Sequence, residues 1–96
     1  MTVYVLAQLT IRDRERYDRY AGGFMPVLRQ YGGRLHAAQD GPEVAEGEWN
    51  HERVVIFSFP DRDTFITWRD SPEYQAIVQD RYAGADATLL VIRGLD

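Results

Sequence analysis

The sequence predicts an α+β fold of the ferredoxin-like kind, with element order βαββαβ, a four-stranded antiparallel sheet and the helices on one face. Three observations carry this. Four short runs rich in β-branched, aromatic and aliphatic residues are separated by stretches whose apolar residues recur at helical spacing. Their order, strand, helix, strand, strand, helix, strand, is the one that two interlocked right-handed β-α-β crossovers turn into a single sheet. The length of 96 residues makes one domain, residues 1–96, since one core normally serves a chain of this size.

The first strand is TVYVLAQLTI, Thr2 to Ile11, bounded by the charged RDRER. Val3, Val5, Ala7, Leu9 and Ile11 make one apolar face, and Tyr4, Leu6, Gln8 and Thr10 a mixed one. Asp13 is placed to cap the first helix, with Glu15 in its first turn. Tyr17, Tyr20, Ala21, Phe24, Val27, Leu28 and Tyr31 then form one stripe. Gly22-Gly23 and Pro26 interrupt it, each glycine costing roughly 1 kcal/mol against alanine and the proline crowding the carbonyl of Gly22. The stripe keeps its phase across them, so a kink is expected rather than a stop. Gly32-Gly33 ends the helix, one of the pair taking the left-handed conformation.

RLHAAQD, Arg34 to Asp40, is a weaker second strand. GPEVAEGEWN, Gly41 to Asn50, is an acidic, turn-rich connection, and ERVVIFSF, Glu52 to Phe59, is the third strand. Asp61 caps a short helix holding Phe65, Ile66 and Trp68. Ser71-Pro72-Glu73 then restarts the helix in a new direction: a capping hydroxyl, a proline at the first helical position, an acid at the positive end of the dipole. Tyr74, Ile77, Val78, Arg81 and Tyr82 follow on one face, and ATLLVIRG, Ala87 to Gly94, is the fourth strand.

Composition narrows the function classes. The chain has no cysteine, so disulfides, thiolate metal sites and thiol nucleophiles are excluded. A net charge of −4 and no basic cluster interleaved with aromatics argue against a nucleic-acid surface. No apolar run approaches the ~20 residues that span a bilayer, and no basic region precedes VYVLAQL, so neither membrane insertion nor a signal peptide is expected. A cytoplasmic location fits these features.

Strands that meet water on one face should alternate apolar and polar residues. Strands one, three and four do not. With Val3, Val5, Val55, Phe57, Phe59, Leu90 and Ile92 assigned to the helices, the other face still carries Tyr4, Leu6, Val54, Ile56, Leu89 and Val91. Burying each is worth ~1.5–3 kcal/mol, which predicts a two-fold homodimer with the sheets packed face to face in a barrel-like body.

Within such a barrel His36 is the candidate general base. It is assumed to alternate with Arg34 and Ala38, opposite Leu35 and Ala37, and so to share the chamber with Gln8, Ser58 and Arg93. Arg34 or Arg93 would stabilise negative charge, and Gln8 and Ser58 would orient a substrate. The alternative is a hydrogen-bonded histidine near the sheet edge. Arg81, on the apolar face of the last helix, either ties that helix to the C-terminal strand or reaches a ligand's acid group. Tyr4 and Trp49 are core, interface or pocket lining. His51, with Glu48 and Glu52 nearby, matches no metal spacing and is expected in an exposed turn. No metal or tightly bound cofactor is expected.

YVLAQLTIRDRERYDRY, YGGRL, EGEW, VVIFSFPDRDTFITWRDSPEYQ and the closing VIRG together resemble the uncharacterised bacterial proteins of the DUF1330 family, within the dimeric α+β barrel superfamily. The likeness spans nearly the whole chain, and FP…W…SPEYQ is its most specific part. It implies a ferredoxin-like subunit in a dimer and no set of catalytic residues. Ser58 and Arg93 stand where the family often has an acid, which counts against a mechanism built on carboxylates. Relatives in the superfamily include cofactor-independent monooxygenases and ligand-sensing domains, so the fold does not choose among functions. Three classes follow: a small cofactor-independent enzyme acting on an organic acid or aromatic compound, a ligand-binding or sensory module, and a structural dimer with a filled cavity.

Overall fold

Seven elements are formed in the computed structural model, which describes residues 1–96: β1 (Val3–Ile11), α1 (Arg14–Gln30), β2 (Arg34–Asp40), β3 (Arg53–Phe59), α2 (Arg62–Asp70), α3 (Pro72–Gly84) and β4 (Ala85–Arg93). The strands lie in the order β2-β3-β1-β4, each antiparallel to its neighbours. This is the ferredoxin-like arrangement. None of the helices is long and apolar enough to cross a membrane.

Local chemistry sets the boundaries. The Asp13 carboxylate accepts from Arg16 N at 3.2 Å and starts α1, which continues through Pro26. Gly32 supplies the positive φ of 76° that turns the chain out of the helix. Gly33 fits because a Cβ there would sit 2.8 Å from both Leu28 Cγ and Phe59 Cε1. The Asp61 carboxylate caps α2 through Thr64 N at 2.7 Å. The buried Ser71 hydroxyl accepts from Tyr74 N at 3.1 Å and donates to Trp68 O at 2.7 Å, so one side chain closes α2 and opens α3.

Between the helices and the sheet lies the core. Val3, Val5 and Leu9 of β1 meet Phe57 and Phe59 of β3, with Leu28, Trp68 and Val78 above them, all essentially buried. Some of the aromatic side chains pack edge-on, as Phe24 does on Phe57 with ring centres 5.2 Å apart, and others at a tilt, as Trp68 does on Phe59.

Two strands differ in phase from the sequence expectation. In β4, Leu89 is opposite Ala7 and Val91 opposite Val5, so these two share the helix-facing parity, while Leu90 and Ile92 lie on the open face with Leu6 and Tyr4. Leu89, Leu90, Val91 and Ile92 are all apolar, so alternation carries no phase there. Register is instead set by the chain's exit from α3, where Gly84 O accepts from Arg12 N at 2.8 Å and Asp13 N at 3.0 Å and Ala85 pairs with Ile11. Pairing therefore begins at Ala85, two residues earlier than expected.

In β2 the pairing passes from Leu35↔Phe57 to Ala37↔Ile56, leaving His36 as the extra residue of a bulge. Beyond it the parity inverts. Ala38, opposite Val55, comes to the helix side, whereas Ala37, opposite Ile56, belongs to the open face. Simple alternation had assigned both the other way.

The open face carries Tyr4, Leu6, Ile56, Leu90 and Ile92, with Tyr4 at 38%, Leu90 at 44% and Ile92 at 47% exposure. The connection 41–52 is fastened over part of this face. Trp49 Nε1 donates to Gln8 Oε1 at 2.7 Å, and Glu52 N donates to Leu9 O at 2.8 Å.

Candidate functional site

The polar side chains that the sequence singles out fall in separate places, two on the open face of the sheet and one between the helices and the sheet. On the open face, the bulge turns His36 towards Ser58, with Nε2 2.6 Å from Oγ. The Tyr4 ring stands 5.5 Å from the imidazole, and Arg34 is opposite Ser58 in the register. His36 is exposed and Ser58 buried. A shallow depression of about 210 Å³ beside them is lined by Thr2, Gly32, Arg34, Ser58, Phe59 and Pro60.

Not all of the predicted chamber assembles. Arg93 is opposite Val3, on the helix-facing parity at the exposed end of β4, and so is not on the face that carries His36. Gln8 shares the open face but is engaged by Trp49, and its partner in β3 is Val54, four residues from Ser58. Together Gln8 and Trp49 line a second hollow of about 390 Å³ under the 41–52 connection, with Leu6, Val54, Glu43 and Glu48 among its walls. His51 is half-buried rather than exposed. Its Nδ1 is 3.2 Å from Thr10 Oγ1 and its ring lies against Trp49, because the connection folds onto the sheet instead of into solvent. Nowhere do three or more His, Asp or Glu side chains converge as a metal site would require.

On the other side, between the helices and the sheet, the core is incompletely filled. A cavity of about 150 Å³ is bounded by Ala7, Leu9, Val55, Phe57 and Leu89 from the sheet and by Tyr17, Tyr20 and Phe24 from α1. Leu35, Ala38, Ala21 and Met25 form the side towards the edge strand β2, where Ala21 and Ala38 are exposed. Small residues at Ala7, Ala21 and Ala38 leave the space.

Two arginines reach this otherwise apolar room. Arg53 is neutralised, its Nη1 2.9 Å from Asp40 Oδ1 and its Nε donating to the Tyr17 hydroxyl at 3.1 Å. Arg81 is not. Its Nε is buried without a hydrogen-bond partner, and its guanidinium carbon is 5.8 Å from the centre of the Tyr20 ring and 5.3 Å from that of Tyr82. The tie from the end of α3 to the C-terminal strand is made by Arg12 instead, which reaches Tyr82 O at 2.9 Å and Asp86 Oδ1 at 3.0 Å. The Tyr20 and Tyr74 hydroxyls bond each other at 2.9 Å, and burial, before any other cause, pushes the ionisation of both above the ordinary tyrosine value. Trp68 Nε1 is the other buried side-chain atom left without a partner.

Sequence reasoning placed Arg81 on an apolar helix face but missed the cavity with Arg53, Tyr17 and Tyr20 around it. One signal was present: Arg53 has the same parity as Val55 and Phe57, an odd position for a charge unless it borders a space.

The family described as "Domain of unknown function (DUF1330)" matches residues 2–95. No curated protein matches the chain. Among solved structures, the RPA0582 protein of unknown function from Rhodopseudomonas palustris superposes with a TM-score of 0.85 at 20% identity, covering 99% of this chain and 83% of that one. SnoaB, a cofactor-independent oxygenase from Streptomyces nogalater, gives 0.73 at 13% identity over 99% and 94% of the two chains. A dimeric ferredoxin-like protein of unknown function from Thermobifida fusca gives 0.67 at 14%, over 98% and 92%. At these identities the likeness is one of fold.

Proposed function

The chain belongs to the DUF1330 family, which carries no assigned activity, and from that premise we propose that it is a small-molecule-binding protein that works as a homodimer and holds one ligand in the helix–sheet cavity of each subunit. The cavity carries the reading. Protein interiors are packed like organic crystals, with few voids larger than a water molecule. An apolar hollow of about 150 Å³ in so small a core is a departure from that rule. An apolar cavity of roughly this size stays dry and accepts a benzene-sized guest, so the ligand class is a single ring or an aliphatic body of equal bulk. Dimerisation is supported by the apolar open face, and the structural likeness to a dimeric ferredoxin-like protein accords with it.

Toluene, titrated into the full chain by heteronuclear NMR, should shift the amides of Ala7, Phe24, Val55 and Phe57. Ala38→Leu, which fills the rim beside β2, should abolish those shifts while leaving the spectrum folded. Shifts scattered over the open face, or binding untouched by Ala38→Leu, would place the ligand elsewhere.

A second reading is a cofactor-independent enzyme of an organic acid or aromatic compound, with His36 as base and Arg34 beside it. The 2.6 Å approach of His36 to Ser58 favours it. That pair would act in the space between the two sheets, remote from the helix–sheet cavity.

A further inference from the structure

We infer that the cavity selects an anion, a monocarboxylate of single-ring size, and that Arg81 is the residue that recognises its charge. This rests on the reading that the cavity takes a ligand, and it adds what the ligand must carry.

Eight of the eleven arginines are exposed, and water serves them. Three are partly withdrawn: Arg16, Arg53 and Arg81. The first two each have a carboxylate, Arg16 with Asp80 at 2.7 Å and Arg53 with Asp40 at 2.9 Å. Arg81 forms no ion pair and no hydrogen bond to the protein through Nε. Withdrawing a cation from water is costly unless it is paired, so the exception among three otherwise similar side chains has chemical meaning.

The cavity cannot neutralise Arg81 from its own walls. No aspartate or glutamate lines it. Tyr20 and Tyr74 are held protonated by burial, and their hydroxyls are engaged with each other. What the protein provides is the faces of Tyr20 and Tyr82 and the nearby Tyr74 hydroxyl, which favour a cation without cancelling its charge. A guanidinium carries five donors and no acceptor. A carboxylate entering the cavity therefore supplies both things that Arg81 lacks, an acceptor for Nε and a counter-charge, while Phe24, Phe57 and Leu9 enclose the apolar body.

The test compares benzoate with its uncharged isostere benzamide and with toluene, by isothermal titration of the full chain. The wild type should bind benzoate about tenfold or more tighter than benzamide, the margin expected of a hydrogen bond to a charged group. Arg81→Met should erase that preference and keep toluene binding, which also shows that the variant folds; Arg81→Lys should restore part of the preference. Equal binding of benzoate and benzamide by the wild type, or a preference surviving in Arg81→Met, would overturn the inference and leave the cavity as a neutral-ligand site. Failure of all three compounds to bind would overturn the cavity reading, and this one with it.

Discussion

Tyr20 and Tyr74 donate and accept a single hydrogen bond inside the core, and burial holds both phenols above their ordinary ionisation. The sign of the resulting pH dependence follows. Below the unfolded value of 10.0 both states are protonated and the stabilising contribution is complete. Above it the unfolded chain releases these protons while the folded chain keeps them, so stability falls as pH rises towards the raised folded values. Urea denaturation should show a lower midpoint at about pH 11 than at about pH 9, and Tyr74→Phe should flatten the decline. A midpoint that does not change across that interval would contradict the buried-pair account. At this scale the sequence was readable where the rule is local. Asp13, Asp61 and Ser71 cap their helices because a short oxygen side chain before a helix has one good use. Arg81 was legible as an oddity on an apolar face, but its lack of a partner depends on residues far away in the chain.

Elements were mostly legible because the strands are dense runs of β-branched, aromatic and aliphatic residues while the helices space their apolar residues at helical intervals, and the Ser71-Pro72 restart is a local signal. Two failures share one physical cause. Strand phase is fixed by pairing, and pairing is a tertiary property. β4 is apolar at both parities, so its phase came from the Gly84–Ala85 junction held against the end of β1. β2 contains a bulge at His36, which nothing in RLHAAQD announces. The bulge matters for both sites. It aims His36 at Ser58 on one face, and it delivers Ala38 instead of Ala37 to the helix–sheet cavity on the other. One extra residue thus shapes both candidate sites.

For the whole molecule, the sheet's two faces divide the labour. The helix-facing side encloses the cavity, and the open side presents Tyr4, Leu90 and Ile92 with roughly two-fifths or more of each exposed. That the sheet is apolar on both faces was readable from the missing alternation in its strands, and it survives the corrected phase of β4, since Leu90 and Ile92 simply exchange places with Leu89 and Val91. Light scattering of the wild type should give twice the chain mass of 11.1 kDa, and Ile92→Asp, which sets a charge on the open face at the edge strand, should halve it. A wild-type particle of one chain would remove the dimer from the account. Apart from the parity of Arg53 the cavity left no mark in the sequence, because an empty volume is what several distant side chains jointly fail to fill.

The central claim is that this volume exists in the folded protein as a largely apolar space. Diffraction from a crystal pressurised with xenon tests it most directly, since xenon occupies apolar cavities and avoids polar, hydrated ones. The account predicts one strong xenon peak per subunit between α1 and the sheet, within van der Waals reach of Ala7, Phe24 and Phe57. Side chains collapsed to fill that space, with no xenon bound, would contradict it.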